Sequence, residues 1–340
     1  MTHRSTELTT FVTEAGWEGA RRVNLAGDAS NRRYERLNHT NGAKAVLMDA
    51  PTHTNTSVQP FVEIARHLTG LGLSAPKILH QDTDRGLLLI EDLGDELFAR
   101  KIIRSPDLEA CLYTSATDVL LTLQSFPPPR KLPKMDTRTL ATMTEPAFTW
   151  YMGGVGLLSE PAQSRFVESF QTVLEQHLSA PDVLVLRDYH AENLLWLPDR
   201  QGVAKVGLLD FQDALVGHRA YDLVSMLQDA RRDVSQTVEA EIKAYFVAQS
   251  GADPEKFDVS YHLIGAQRNL RILGIFARLC LQEGKTHYVD LIPRVYGLVM
   301  RNLAHPILQD VARILHDELP APTSDILQSL KDKCATHPTP

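Results

Sequence analysis

Over the first ninety residues, short apolar runs alternate with polar turns. This pattern predicts strands at residues 21–25, 33–37, 45–48, 78–79 and 87–90. Two other segments, residues 6–15 and 58–71, have apolar residues at helical spacing, such as Phe61, Ile64 and Leu68 in the second. The sequence therefore predicts an antiparallel sheet preceded by one helix, with a main helix inserted after the third strand.

After Gly94 the apolar pattern becomes helical. It predicts helices at residues 108–123, 138–151, 163–177, 219–230, 236–249, 262–282, 288–302 and 307–319. Three short apolar runs within residues 183–210 interrupt this series, and a polar tip at 198–202 separates the last two. That tip predicts a hairpin, while the residues after Pro320 are expected to be partly disordered.

These elements predict an α+β fold with two lobes. Residues 1–93 would form an N-terminal lobe with the antiparallel sheet and one main helix. Residues 94–320 would form a larger, mostly helical lobe, followed by a tail at 321–340. At 340 residues with 43% hydrophobic content, the chain is long enough to bury the core of such a fold.

Charge and cysteine content narrow the possible partners. The formal net charge of −7 argues against nucleic acid as the main partner, because phosphate backbones require a basic surface. The three cysteines are far apart and match no zinc or disulfide framework. The N-terminus is polar, and no uncharged apolar run reaches the roughly 18 residues of a membrane span. A cytoplasmic location without a membrane partner is therefore expected.

The segments 186–193 and 209–213 carry the chemistry. Asp188 and Asn193 lie five positions apart, the spacing of the catalytic aspartate and metal-binding asparagine of kinases, and Asp210 with Phe211 follows the next apolar run. Phosphoryl transfer needs a carboxylate to orient the attacking hydroxyl, and oxygen ligands to hold Mg²⁺ on the phosphates. Asp188 is thus the candidate catalytic group, with Asn193 and Asp210 as candidate metal ligands.

Each of these residues has an alternative interpretation. Asp188 alone could cap backbone N–H groups in a polar loop, and Asn193 could be a turn residue. His190 with Glu192 could suggest a zinc deaminase, but the Pro-Cys-x-x-Cys that such enzymes require is missing from the sequence. His190 is instead expected to brace the loop through a hydrogen bond.

A phosphate-covering loop is expected between the first two strands. Gly27, Ser30 and Asn31 would let backbone N–H groups and a hydroxyl approach phosphate, although the same residues suit an ordinary hairpin tip. Arg32 or Arg33 would add positive charge, and strand alternation allows only one of them to face the phosphates.

The third strand lacks the lysine that kinases carry there, because Met48 and Asp49 occupy its place. Glu63 on the following helix is a candidate ion-pair partner for Arg32 or Arg33, although it also suits a solvated helix face. Glu91 and Leu93 end the apolar run of the fifth strand, where backbone groups would bind adenine.

The chain resembles the aminoglycoside phosphotransferase and choline kinase superfamily over about residues 20–305. Within it, the chain is especially similar to bacterial kinases that phosphorylate the anomeric hydroxyl of N-acetylmuramate and N-acetylglucosamine during cell-wall recycling. The matching stretches are residues 27–34 (GDASNRRY), 46–51 (VLMDAP), 187–196 (RDYHAENLLW), 207–214 (GLLDFQDA), 221–234 (YDLVSMLQDARRDV) and 265–270 (GAQRNL). The missing lysine is shared with that subfamily.

The resemblance implies ATP and Mg²⁺ as cofactors, Asp188 as catalytic base, and a small amino sugar as substrate. It also implies that the lobe at 1–93 binds the nucleotide and that the lobe at 94–320 carries the catalytic and substrate groups. His190, Asp213, Arg231 and Arg268 are candidate substrate residues, since an arginine could pair with the lactyl carboxylate of muramate. Both arginines also suit salt bridges between helices. Alternatives are an aminoglycoside or other small-alcohol kinase of the same fold, and a nucleotide-binding module without turnover.

Overall fold

A computed structural model of the chain describes residues 3–25, 32–51 and 57–337. By their contacts these residues form two compact units. Unit 1 comprises Met1–Ser125 with Leu186–Ala214, and unit 2 comprises Phe126–Val185 with Leu215–Pro340. The candidate catalytic segment, residues 186–213, thus belongs to the unit that contains the N-terminal sheet. The predicted lobe boundaries after residues 93 and 320 remain predictions.

The strands, in chain order, are β1 (Arg21–Leu25), β2 (Arg33–Asn38), β3 (Lys44–Asp49), β4 (Ile78–Asp82), β5 (Leu87–Glu91), β6 (Val183–Val185), β7 (Leu194–Trp196), β8 (Val206–Leu208) and β9 (Leu215–Gly217). The helices are α1 (His3–Glu14), α2 (Gln59–Gly70), α3 (Phe98–Arg104), α4 (Glu109–Gln124), α5 (Thr137–Thr142), α6 (Glu160–His177), α7 (Tyr221–Leu227), α8 (Gln236–Ser250), α9 (Pro254–Glu283), α10 (Ile292–Leu303), α11 (Gln309–Glu318) and α12 (Ser324–Asp332).

In unit 1, five antiparallel strands form one sheet in the order β1-β2-β3-β5-β4. The main helix α2 follows β3, so the predicted sheet and its inserted helix are confirmed. One face of the sheet packs against α1, where Phe11 is fully buried with Leu37, Leu47 and Leu89. The alternation of β-strand side chains places every second residue of β2 and β3 on this face.

The rest of unit 1 includes the candidate catalytic segment at residues 186–213. Strands β7 and β8 pair as an antiparallel hairpin, with Leu194 opposite Leu208, as predicted from the polar tip between them. Helix α3, which the sequence analysis did not predict, precedes α4. No helix among the residues that the structure describes is long and apolar enough to cross a membrane.

Unit 2 is mostly helical, with β6 and β9 paired antiparallel. The predicted helix at 138–151 is wrong as a single element, because α5 ends at Thr142 and a π-helical turn follows at Ala147–Met152. Residues 143–144 form a turn between them, and helical backbone resumes just before the π-helical turn. Pro146 has no N–H to donate to the carbonyl of Thr142, so one continuous α-helix cannot pass through this point. The Pro146 carbonyl lies directly against Gly274 of α9.

The start of α9 and the whole of α12 differ from the prediction, and a side chain caps the first turn of each helix. Helix α9 begins at Pro254 rather than at residue 262, since the Asp253 side chain accepts a hydrogen bond from the Lys256 N–H (2.9 Å). The expectation of partial disorder after Pro320 is wrong for α12, which Thr323 caps and whose Leu330 is fully buried. Apolar spacing did not predict the start of α9 or α12, because the first turn of each helix, counted from its capping residue, is mostly polar.

Candidate active site

The loop that carries Asp188 begins with a strained turn. The Asp188 N–H donates to the Leu186 carbonyl (2.9 Å), and Arg187 between them has a φ of 72°. A positive φ is unfavourable for a residue with a side chain, so the surrounding structure must hold this turn. The Tyr189 hydroxyl donates to the Ala116 carbonyl of α4 (2.8 Å), and the Ala99 N–H of α3 donates to Ala191 (3.0 Å).

Asn193 closes the same loop back on Asp188. Its Nδ2 donates to the Asp188 carbonyl at 2.9 Å, and its backbone N–H donates to the His190 carbonyl at 2.8 Å. The His190 ring is buried, with Nε2 3.5 Å from Asn193 Nδ2. Because the amide nitrogen is used inside the loop, the Oδ1 atom is the one left to serve as a ligand. The loop is therefore organised around Asn193.

Asp210 lies in a second strained turn that is tied to the first loop. Its φ is 55°, and the preceding Leu209 donates its N–H to the Asn193 carbonyl (3.0 Å). The next residue, Phe211, is fully buried against Phe61 of α2, with ring centroids 4.8 Å apart. The hairpin thus connects the two loops, and aromatic packing fixes the second to the main helix.

The Asp210 carboxyl has an unfavourable electrostatic environment. Desolvation raises its pKa, and the negative charges of Asp188 and Asp213 add to that increase. A hydrogen bond from Gln212 Nε2 to Oδ1 (2.7 Å) and the charge of Arg32 lower the pKa in part. Asp210 keeps substantial solvent-accessible area, but neighbouring protein atoms displace much of the water around its carboxyl group. A cation would relieve this excess of negative charge.

Three residues fasten the β7–β8 hairpin to the N-terminal part of unit 1. Arg200, between the two strands, donates to Ser74 Oγ (2.6 Å) and to Glu91 Oε1 (2.7 Å). Ser74 Oγ in turn donates to the Ala204 carbonyl at 2.6 Å. The sequence analysis missed the roles of Ser74 and Arg200, because these contacts join residues more than 120 positions apart. They fix the hairpin that holds both loops.

The candidate phosphate-covering residues Gly27, Ser30 and Asn31 lie outside the described residues. Arg32, next to them, is buried with 9% exposure, whereas Arg33 is exposed. Met48 in β3 is fully buried.

The candidate residues on α2 and β5 lie in different environments. Glu63 lies on the exposed face of α2 and accepts a hydrogen bond from Gln59 (3.0 Å), as a solvated helix residue would. The Glu91 side chain is engaged by Arg200, while its N–H donates to the Lys77 carbonyl at 2.9 Å. Leu93 follows β5, and its side chain lies near Gly207 of the hairpin. The structure therefore does not bring Glu63 to the arginines of β2.

The candidate substrate residues divide between the units. In unit 1, Asp213 is exposed, and its carbonyl accepts a hydrogen bond from Arg187 (3.4 Å). In unit 2, Arg268 is buried, donates to Ser225 Oγ (2.5 Å) and lies 5.9 Å from the centre of the Tyr221 ring.

Arg231, also in unit 2, is half-buried beside Asp229. Its N–H donates to Asp229 Oδ1 at 2.8 Å. Burial raises the pKa of Asp229, while the positive charges of Arg231, Arg268 and Arg232 lower it. These arginines thus help to keep a buried carboxylate in unit 2, and the predicted substrate roles of Arg231 and Arg268 remain predictions.

Comparison with known proteins identifies the family. The model of the phosphotransferase enzyme family matches residues 22–258, which include both catalytic loops. The chain belongs to this family. A Caulobacter vibrioides protein named N-acetylmuramate/N-acetylglucosamine kinase is 37% identical over 338 residues, 88% of this chain and 93% of that protein. A Pseudomonas putida protein of the same name is 35% identical and covers 81% of each chain.

Solved structures of other phosphotransferases share the fold. A choline kinase from Streptococcus pneumoniae matches with a TM-score of 0.62 at 12% identity, covering 88% of this chain and all of that one. An ethanolamine kinase from Plasmodium vivax matches with a TM-score of 0.60 at 13% identity, covering 86% and 85%. The predicted kinase-like α+β fold is confirmed.

Proposed function

We propose that this phosphotransferase transfers the γ-phosphoryl group of ATP to the anomeric hydroxyl of N-acetylmuramate or N-acetylglucosamine. The observation that carries the proposal is the pair of relatives at 35–37% identity, both named as kinases of these two sugars and both covered over at least 81% of their length. The complete set of Asp188, Asn193 and Asp210 on connected loops supports turnover rather than nucleotide binding alone.

Asp188 would orient the sugar hydroxyl and accept its proton as the new bond to phosphorus forms. In a loose, metaphosphate-like transition state little proton transfer is needed early, so positioning is the larger part of this role. The strained turn at Arg187 and the Asn193 hydrogen bond to the Asp188 carbonyl hold the loop that presents this carboxylate. Positional accuracy of this kind is what phosphoryl transfer requires of the protein.

The donor set at the second loop fits Mg²⁺. Asn193 Oδ1 and the Asp210 carboxylate would hold the ion, which neutralises charge on the phosphates when it is bound. The raised pKa of Asp210, caused by desolvation and by the charges of Asp188 and Asp213, indicates that a positive charge is needed there. Among the residues that the structure describes, no group of three His, Cys, Asp or Glu side chains could hold a metal by itself. Mg²⁺ commonly completes its coordination with water and substrate phosphate oxygens.

The nucleotide would lie along the Met48 side of the sheet, with its adenine against the segment after β5. Among the described residues, no hydrogen bond uses the Leu93 N–H or carbonyl, so both are free for adenine. Glu91 would contribute its carbonyl, because its side chain is paired with Arg200 and its N–H donates to the Lys77 carbonyl. Gly27, Ser30 and Asn31 remain the proposed cover over the phosphates, and a cytoplasmic location remains a prediction.

The test is a panel of N-acetylmuramate, N-acetylglucosamine, choline and an aminoglycoside, each incubated with ATP and Mg²⁺ while ADP release is measured. The proposal expects turnover with the two amino sugars and none with choline. The variant Asp188→Ala should lose this turnover yet still bind ATP. Turnover only with the aminoglycoside would favour the other kinase class, and full activity of Asp188→Ala would contradict the catalytic assignment.

A further inference from the structure

The two faces of the N-terminal sheet separate the residues around the missing lysine. Tyr34 of β2 lies directly opposite Met48 of β3, and Arg33 lies opposite Asp49. Side chains of adjacent strand residues point to opposite faces, so Tyr34 and Met48 share one face. Asp49 is on the other face, where Arg4 of α1 forms an ion pair with it. The position of the missing lysine therefore has Tyr34 as its neighbour across the strands.

Arg32 directly precedes β2 and interacts with Tyr34, which is on the same face as Met48. Arg32 is 9% exposed and hydrogen-bonds with Tyr34, while Arg33 is exposed. The positive charge of Arg32 lowers the pKa of both Tyr34 and Asp210, so the guanidinium lies within electrostatic range of the Asp210 carboxyl group. A buried guanidinium near Asp210, a candidate Mg²⁺ ligand, is suited to contact the phosphates that bind the same ion.

Arg36, on the same face of the sheet as Tyr34, forms ion pairs elsewhere. Arg36 pairs with Asp92 (2.7 Å) and with Asp95 (2.9 Å), both of which follow β5. These two carboxylates hold the Arg36 guanidinium against the segment that follows β5. Arg36 is therefore engaged in these ion pairs, whereas the positive charge of Arg32 acts on Asp210.

We infer that Arg32 replaces the third-strand lysine as the cation on the nucleotide phosphates, and that Tyr34 is the positioning residue that fixes its guanidinium. This inference rests on the proposed function only in taking ATP as the nucleotide. An arginine can hold two phosphate oxygens at once, whereas a lysine is a point charge.

Binding measurements separate this inference from the choice of sugar. The dissociation constants of a non-hydrolysable ATP analogue with Mg²⁺, and of adenosine, would be measured by calorimetry without any sugar. Charged hydrogen bonds contribute about 1.5–3 kcal/mol, so Arg32→Met should weaken binding of the analogue about 10- to 150-fold and leave adenosine binding unchanged. Arg32→Lys should recover part of the loss, since it restores the charge but not the two-oxygen contact.

Three further variants complete the design. Tyr34→Phe should weaken binding of the analogue by a smaller factor, about 3- to 10-fold, because the guanidinium keeps its charge but loses a neutral hydrogen bond. Arg22→Met is the matched control, since Arg22 pairs with Glu35 on the exposed edge strand, and should bind like wild type. A loss with Arg33→Met in place of Arg32→Met would overturn the inference.

The other possible outcomes distinguish the inference about Arg32 and Tyr34 from the proposed function. Wild-type analogue binding by both Arg32→Met and Tyr34→Phe would refute the inference and leave the proposed function intact. Failure of the unaltered protein to bind the analogue at all would refute the proposed function instead. If Arg32→Met does not fold, Arg32→Lys and Tyr34→Phe still test the inference, because equal affinity to wild type in both would contradict it.

Discussion

The substitution Asn193→Asp tests how the catalytic loop is built. In many sites an aspartate would be an equal or better ligand for Mg²⁺ than an asparagine. Here the amide nitrogen of Asn193 donates to the Asp188 carbonyl at 2.9 Å. A carboxylate in that place would bring an oxygen against the carbonyl oxygen and leave it without its donor. The substitution should therefore weaken the loop even though it adds charge for the metal.

The magnitude follows from this one hydrogen bond. Leaving a partly buried carbonyl unsatisfied costs roughly 1–3 kcal/mol, and each 1.36 kcal/mol corresponds to a factor of ten in rate. We expect kcat to fall about 5- to 150-fold, measured as ADP release at saturating ATP and amino sugar. The neighbouring Glu192 is exposed, so Glu192→Gln is the matched control and should retain wild-type kcat.

A Mg²⁺ titration identifies the cause of the loss. If the lost hydrogen bond causes the fall in kcat, added Mg²⁺ will not restore kcat. The reason is that a carboxylate is at least as good a Mg²⁺ ligand as the amide, so the defect lies in the loop rather than in the occupancy of the metal site. Wild-type activity of Asn193→Asp, or full recovery at high Mg²⁺, would refute this account of Asn193 as a residue that closes the loop through its amide nitrogen.

Three other predictions concern charge and packing. Desolvation raises the pKa of Asp210 in the folded state, so the charged carboxylate destabilises the metal-free fold. Asp210→Asn should therefore raise the Tm at pH 7, measured by calorimetry. This gain should vanish below about pH 3.9, where the carboxyl group is protonated in both the folded and the unfolded state. Gln212→Ala removes the hydrogen bond that lowers this pKa and should move the acid limb of kcat/KM to higher pH, where an unchanged limb would contradict the assignment. Gly274→Ala would place a Cβ 2.0 Å from the Pro146 carbonyl carbon and should lower the free energy of unfolding by about 1–3 kcal/mol or more. Gly297→Ala, in open space on α10, should instead raise it by about 0.5–1 kcal/mol; equal effects in urea denaturation would refute the packing argument.

Strands β1 to β8 and the two candidate loops could be predicted because their signals are local, whereas the sequence analysis missed β9. Apolar runs such as residues 87–90 fix a strand within five positions, and the spacing of Asp188 and Asn193 is set within one loop. The residues that hold those loops could not be found in this way. Ser74 contacts Ala204 across 130 positions, and Arg200 contacts Glu91 across 109. Contacts of this range depend on the complete fold and leave no periodic pattern.

Helix boundaries were less predictable for a similar reason. The turn at residues 143–144 lies just before Pro146, whose backbone packs against Gly274 of another helix. The choice between Arg32 and Arg33 needed the register of β2 with β3, which places Tyr34 opposite Met48. The alternation of strand side chains predicts that only one arginine faces the phosphates, and the burial of Arg32 is the observation on which we base the inference that it is Arg32.

The most direct test of the central claim is the position of the phosphate on the product. N-acetylmuramate would be incubated with ATP, Mg²⁺ and the purified protein, and the product examined by ³¹P NMR with coupling to the sugar protons. The account predicts a phosphorus signal coupled to the anomeric proton, and no such product from Asp188→Ala. Phosphate on any other hydroxyl, or ATP turnover that never involves the sugar, would contradict it.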